Sequence, residues 1–222
     1  MKSSLRLCLV ACCLVVVGCV SGGDCSSPYA NSLQFKGCLF ANPPNPLTPP
    51  GAGTWTIWSR FIFSTKVGTV PVDPIPVQPL TTAHLEALDP QSNHIVRLGH
   101  SSHLLKQRGK FWLIDPVFGE RVSPVSFAGP KRFHAPPLTL QQLPPIEGLI
   151  LSHDHYDHLD VPTIEYLAQW VQRYFVPLGV KALLVGMGVP AERVQEFDWW
   201  QAGVHDGVQP PPRRRSTSPA EA

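Results

Sequence analysis

Cysteine is missing from most of this chain: all six lie between Cys8 and Cys38, and the 184 residues after Cys38 hold none. That absence excludes an all-cysteine zinc site or an iron–sulfur cluster from the main body. Charge is scarce too, with 15% Asp, Glu, Lys and Arg and a formal net charge of +2. So weak a balance, without an aromatic–basic signature, excludes nucleic acid as the expected partner. The apolar run Leu7–Gly18 has only twelve residues, too few for a membrane-crossing helix, which needs about 20. The 43% hydrophobic content is ample for a packed core, and 222 residues suffice for one full domain.

That short run follows Lys2 and Arg6, the pattern of an export signal. Its end, Val16-Val17-Gly18-Cys19, resembles the bacterial lipoprotein signal. The resemblance implies a signal peptide over 1–18, acylation of Cys19 and membrane attachment through the lipid anchor. Each buried CH2 of such an anchor contributes roughly 0.8 kcal/mol. Val20 and Ser21 follow, with no Asp; by resemblance to bacterial sorting rules, the expected place is the cell envelope, as an outer-membrane lipoprotein facing the periplasm. An ordinary secretory peptide cleaved near Ser21 or Gly22 is the alternative. Cys25 and Cys38 would then sit in an oxidising compartment, and their spacing leaves open whether they pair.

Proline, abundant at 25 residues, marks residues 19–90 as an extended arm. Nine prolines fall within 41–80 and argue against a regular helix there. Trp55, Ile57, Phe61 and Phe63 share one strand-like parity and, with Trp58, read as anchors of an edge strand or packed arm. A lipid-facing aromatic surface is the rival reading.

Residues 91–202 read as an α/β domain. Strands are expected at His94–Leu98, Ser102–Lys106, Phe111–Ile114, Gly148–Leu151 and Val194–Phe197. A Pro/Gly-rich loop runs over about 117–145. Asp160 and Pro162 open a helix whose inner face is Ile164, Leu167, Ala168 and Val171, and a second helix around Val180–Met187 stops at Gly188. Residues 203–222, with Pro210-Pro211-Pro212 and Arg213-Arg214-Arg215, read as a disordered tail.

Directly after the apolar run 148–151 comes Ser152-His153-Asp154-His155-Tyr156-Asp157-His158, whose core is H-x-H-x-D-H. A divalent metal needs imidazoles and carboxylates converging within about 2.0–2.2 Å of one point. His153 and His155, two apart, can face one metal. Asp157 and His158 can reach a second metal about 3.5–4 Å away.

This motif resembles the signature of the metallo-β-lactamase fold superfamily. Leu98-Gly99-His100-Ser101, Leu113 to Phe118, Gly129-Pro130-Lys131-Arg132, Leu143 to Ile146, Val176 to Gly179 and Glu196 to Trp200 narrow it further. They resemble, in order, its N-acyl-phosphatidylethanolamine-hydrolysing phospholipase D-like branch. The resemblance implies an αβ/βα sandwich and two zinc ions, with metal-held hydroxide attacking a phosphodiester or other ester-like bond. It carries over to His153, His155, Asp157 and His158 as metal ligands, with Asp157 catalytic at the site of the metal-held water. For His100 and Asp115 it implies supporting places beside the metals, the role of His100 staying open.

The family's later ligands have no clear counterpart, because His205-Asp206 follows the double Trp too closely. The expectation is therefore the first half of the sandwich, with one or weakly bound zinc. The function expected is a lipid-anchored zinc hydrolase of the phosphodiesterase type, acting on an N-acyl phospholipid or related ester. A metal-dependent lactonase or phosphoester hydrolase with a small ester substrate, and a catalytically inactive lipoprotein remnant, are the alternatives.

Overall fold

The computed structural model describes residues 28–36, 39–40, 54–63, 65, 67–123 and 129–203. Cys19, Cys25, Cys38, His205 and the stretch 204–222 lie outside the described residues. Two units are distinguished, Met1–Gly51 and Ala52–Ala222. In the first, β1 (Phe35–Lys36) and β2 (Leu39–Phe40) form an antiparallel pair. Tyr29, Phe35 and Phe40 pack their rings together there, with centroids 5.1–6.1 Å apart.

The second unit begins with a departure from the expected arm. Residues Thr54–Phe63 form a helix, α1, rather than an extended strand. The reason is local: no proline falls between Pro50 and Pro71, so a full helical hydrogen-bond ladder is available. The shared parity of Trp55, Ile57, Phe61 and Phe63 was therefore no strand signal. Trp55 and Phe63 are exposed on α1. A second helix that sequence periodicity did not reveal, α2 (Thr82–Glu86), starts at a capping box in which the Thr81 hydroxyl accepts from the His84 amide.

Six strands follow in one sheet whose spatial order equals the chain order. They are β3 (His94–Gly99), β4 (Ser102–Gln107), β5 (Lys110–Ile114), β6 (Ile146–Ile150), β7 (Arg173–Pro177) and β8 (Val194–Phe197). The first three are antiparallel; β5 to β8 are parallel. Arg108 and Gly109, both at positive φ, make the two-residue turn between β4 and β5, the arrangement that matches strand twist. The parallel pairs β6–β7 and β7–β8 are bridged by α3 (Val161–Leu167) and α4 (Val180–Gly186), as parallel connections require. The Glu196 carboxylate accepts from the Gly179 and Lys181 amides at the start of α4, where helix amides lack partners.

Alternation assigns one sheet face to the helices. Leu98, Leu104, Phe111, Leu113, Leu149, Leu151, Tyr174, Val176 and Val194 are buried there in one cluster with Leu85, Ile164, Leu167, Ala168, Val171, Val180 and Leu184. Each such aliphatic side chain contributes about 1.5–3 kcal/mol when removed from water. The buried Lys106 sits among them because its ammonium donates to the carbonyls of Leu85, Glu86 and Leu88, at the end of α2. The other face carries a ladder of rings: Trp112 stacks on Phe175 at 5.9 Å, and Phe175 meets Phe197 at 5.7 Å. Gly148 lies beneath the indole; a Cβ there would meet Trp112 at 2.5 Å.

This is the expected α/β architecture, a mixed sheet with α2, α3 and α4 on one face. The strands and helices read from sequence over 94–197 are present, with β7 added. Ile164, Leu167, Ala168 and Val171 face inward as expected.

Candidate metal centre

The carboxyl ends of β5 and β6 lie side by side, Ile114 paired with Ile150, and both chains turn away at the same edge. Parallel α/β sheets expose loop side chains at this edge, the usual place for a site. The β5 exit places Asp115; the β6 exit places the loop from Ser152 to Asp160. The Gly99-His100-Ser101 turn between β3 and β4 adds the third wall.

Asp115 organises the floor. It is buried at 4% exposure and holds a left-handed backbone, φ 43°, an arrangement that costs energy for a non-glycine residue. Its amide donates to the Ile150 carbonyl at 3.0 Å. Its own carbonyl accepts from the buried Ser102 hydroxyl at 2.7 Å, while that oxygen accepts from the Val117 amide. The carboxylate is thereby aimed into the β6 loop. There Oδ1 accepts from the Ser152 amide at 2.7 Å, and Oδ2 accepts from the Ser152 hydroxyl at 2.7 Å and from His158 Nδ1 at 2.8 Å.

The β6 loop closes on itself: the amides of His158 and Leu159 both donate to the His155 carbonyl. This tight turn gathers imidazoles that are consecutive or nearly so. His153 and His155 rings stand 4.7 Å apart, and His153 and His158 rings 3.9 Å apart. Two three-donor sets result, His153–His155–Asp157 and His100–Asp157–His158, with donor atoms within 4.8 Å of one another in each. Asp157 belongs to both.

His100 reaches the second set from the other side, also with left-handed backbone, φ 46°. Its Nε2 lies 2.9 Å from Asp157 Oδ2, and His158 Nε2 lies 3.5 Å from the same oxygen. Burial alone would raise the Asp157 pKa; the hydrogen bond from His100 and the neighbouring imidazoles outweigh it and hold the carboxyl below its ordinary value. An ionised carboxylate among imidazoles is the state a cation needs.

The surrounding loop is pinned by residues sequence patterning did not single out for this task. Asp160 precedes α3, yet its carboxylate accepts from the Phe118 and Gly119 amides and the Thr163 hydroxyl. Arg132 donates to the Val117 carbonyl at 2.6 Å, and burial lowers its pKa. The Arg132 guanidinium and the His134 ring crowd Gly99, φ 128°, where a Cβ would come within 2.6 Å of the guanidinium. The only sequence trace of this packing is the Gly129-Pro130-Lys131-Arg132 stretch in the loop.

Thus His153, His155, Asp157 and His158 converge, with His100 beside Asp157 and Asp115 behind His158. The donor chemistry, imidazoles gathered around one carboxylate, fits a borderline-soft divalent ion such as zinc. His158 carries its Nδ1 on a carboxylate and so presents Nε2, the arrangement seen in metal-binding histidines.

The chain thus sets an H-x-H-x-D-H loop with two candidate metal-binding groups at one edge of a mixed sheet. Residues 112–219 match the sequence profile of the family described as "Beta-lactamase superfamily domain". An uncharacterised protein of Mycobacterium tuberculosis (strain H37Rv) is 41% identical over 138 residues, which cover 61% of this chain and 36% of that protein. N-acyl-phosphatidylethanolamine-hydrolyzing phospholipase D 1 of Caenorhabditis elegans is 31% identical over 194 residues, covering 80% of this chain and 54% of that protein. Among solved structures, an isothiocyanate hydrolase from Delia radicum gut bacteria is 22% identical with a TM-score of 0.39, covering 51% of this chain and 44% of that one. The chain spans between about a third and about half the length of these curated relatives.

Proposed function

We propose that this protein is a zinc-dependent hydrolase of the phosphodiesterase type, acting on an N-acyl phospholipid or a related ester. The observation that carries the reading is the convergence of His153, His155, Asp157 and His158 into donor sets sharing Asp157. The phospholipase D name of the nematode relative supports the substrate class.

In this reading His153 and His155, with Asp157, would hold one zinc, and Asp157 with His158 would face a second. Zinc bound there supplies Lewis acidity toward a phosphoryl or carbonyl oxygen and toward water. The chain's own residues supply the rest. Asp115 orients His158 through Nδ1, His100 holds the Asp157 carboxylate in place, and Ser102 fixes the strained turn that aims Asp115. Attachment through a lipid on Cys19, in the bacterial outer membrane facing the periplasm, would bring such a site to a lipid substrate.

Metal analysis of the purified chain against a His153→Ala/His155→Ala double variant tests the centre: zinc retained equally by both would refute it. Zinc-supplemented hydrolysis of a bis-aryl phosphodiester and an N-acyl phospholipid tests the chemistry. Metal-dependent turnover abolished by Asp157→Ala is the result expected.

A further inference from the structure

We propose that Ser152 is a positioning residue that sets the ring tautomer of His153, so that one carboxylate, Asp115, orients two metal-facing imidazoles. The use of that orientation rests on the metal-centre reading; the orientation itself is a property of the metal-free chain. Ser152 Oγ lies 2.7 Å from Asp115 Oδ2, 2.8 Å from His153 Nδ1 and 3.2 Å from His158 Nδ1.

A hydroxyl has one proton and a carboxylate has none to give. The Ser152 proton therefore goes to Asp115 Oδ2, and the hydroxyl oxygen offers His153 only lone pairs. His153 Nδ1 must then be the donor. A neutral imidazole carries a single N–H, so Nε2 of His153 keeps its lone pair free for a metal. His158 reaches the same state directly, through Nδ1 on Asp115 Oδ2 at 2.8 Å. The Ser152 amide on Asp115 Oδ1 anchors the backbone beneath the hydroxyl. One side chain thus grips both histidines, His158 by contact and His153 through an intervening hydroxyl.

The two routes predict different responses to one substitution. Long-range nitrogen–proton correlation NMR on the zinc-free full chain at pH 8 reads both tautomers. In the natural chain His153 and His158 should both be Nδ1–H. Ser152→Ala should release His153 to the Nε2–H form that imidazole favours in water, while His158, still held by Asp115, reports an intact loop. Ser152→Thr, which keeps the hydroxyl, should behave as the natural chain. Zinc affinity should fall roughly 10- to 100-fold in the alanine variant and recover in the threonine one. An Nε2–H tautomer at His153 in the natural chain, an unchanged tautomer in Ser152→Ala, or no recovery with Thr would overturn the proposal. Expected tautomers in a chain that binds no zinc would uphold it and sink the metal-centre reading instead.

Discussion

Asp115 and His158, 43 positions apart in sequence, meet at 2.8 Å, Oδ2 to Nδ1. The contact exists because β5 and β6 are parallel neighbours that end level, Ile114 beside Ile150. Asp115→Asn keeps shape but replaces one acceptor oxygen by a donor. In either amide orientation the new NH2 faces a donor, the Ser152 amide or the Ser152 and His158 pair. Zinc affinity should drop about 10- to 100-fold, with a stability loss of about 1–3 kcal/mol from unpaired buried groups. Calorimetric zinc titration and thermal melts measure the two effects; unchanged zinc affinity would remove Asp115 from its orienting role.

Gly148 has no room for a side chain. Its Cβ would lie 2.5–2.8 Å from atoms of the Trp112 ring, which is itself stacked on Phe175. Gly148→Ala should destabilise by about 1–3 kcal/mol. Adding Trp112→Leu to Gly148→Ala should recover part of that loss, because the clashing ring is gone. A denaturant-melt double-mutant cycle with no coupling would show that the indole is not the obstacle.

Tyr174 is fully buried, and its hydroxyl donates to the Leu167 carbonyl at 3.0 Å. Burial raises its pKa well above the ordinary tyrosine value of about 10. The unfolded chain then loses this proton at a pH where the folded chain keeps it, so stability is full below about pH 10 and falls as pH rises beyond it. Tyr174→Phe should flatten that alkaline decline. Its cost at neutral pH should be only about 0.5–1 kcal/mol, since the Leu167 carbonyl also accepts from the Trp170 and Val171 amides. Unfolding followed from pH 8 to 11 checks both parts, and an equally steep decline in the Phe variant would refute the assignment.

Cys19→Ser should abolish acyl labelling and release the chain from membranes. Fractionation after a salt wash is the measurement, and a Ser variant still held by membrane would rule out the lipid anchor.

The histidine loop is legible in sequence because its candidate ligands are nearly consecutive, so their convergence needs only one turn after one strand. The helix face at Ile164, Leu167, Ala168 and Val171 was legible for the same local reason. Contacts between distant segments were not. Nothing in the sequence places Ser102 under Asp115, or the Asp160 carboxylate on the Phe118 and Gly119 amides as well as on Thr163 of its own helix. His100 stood beside a strand with its role open, and only the β3–β4 turn brings it to Asp157. The prolines of residues 41–80 mask helix α1, because a helix needs only a short proline-free window such as the one between Pro50 and Pro71.

The sheet's spatial order repeats the chain order, and this bears on how the protein is made. From β4 on, every strand pairs with the one just before it, so a chain emerging amino end first, from a ribosome or through a membrane pore, can add strands singly without waiting for a later partner. The histidine loop directly follows β6. The groups drawn from the β3–β4 turn, the β5 exit and that loop are all present once residue 160 is out, before β7 and β8 exist. The centre can be assembled early on a growing sheet edge, and β7 and β8 then cover that edge.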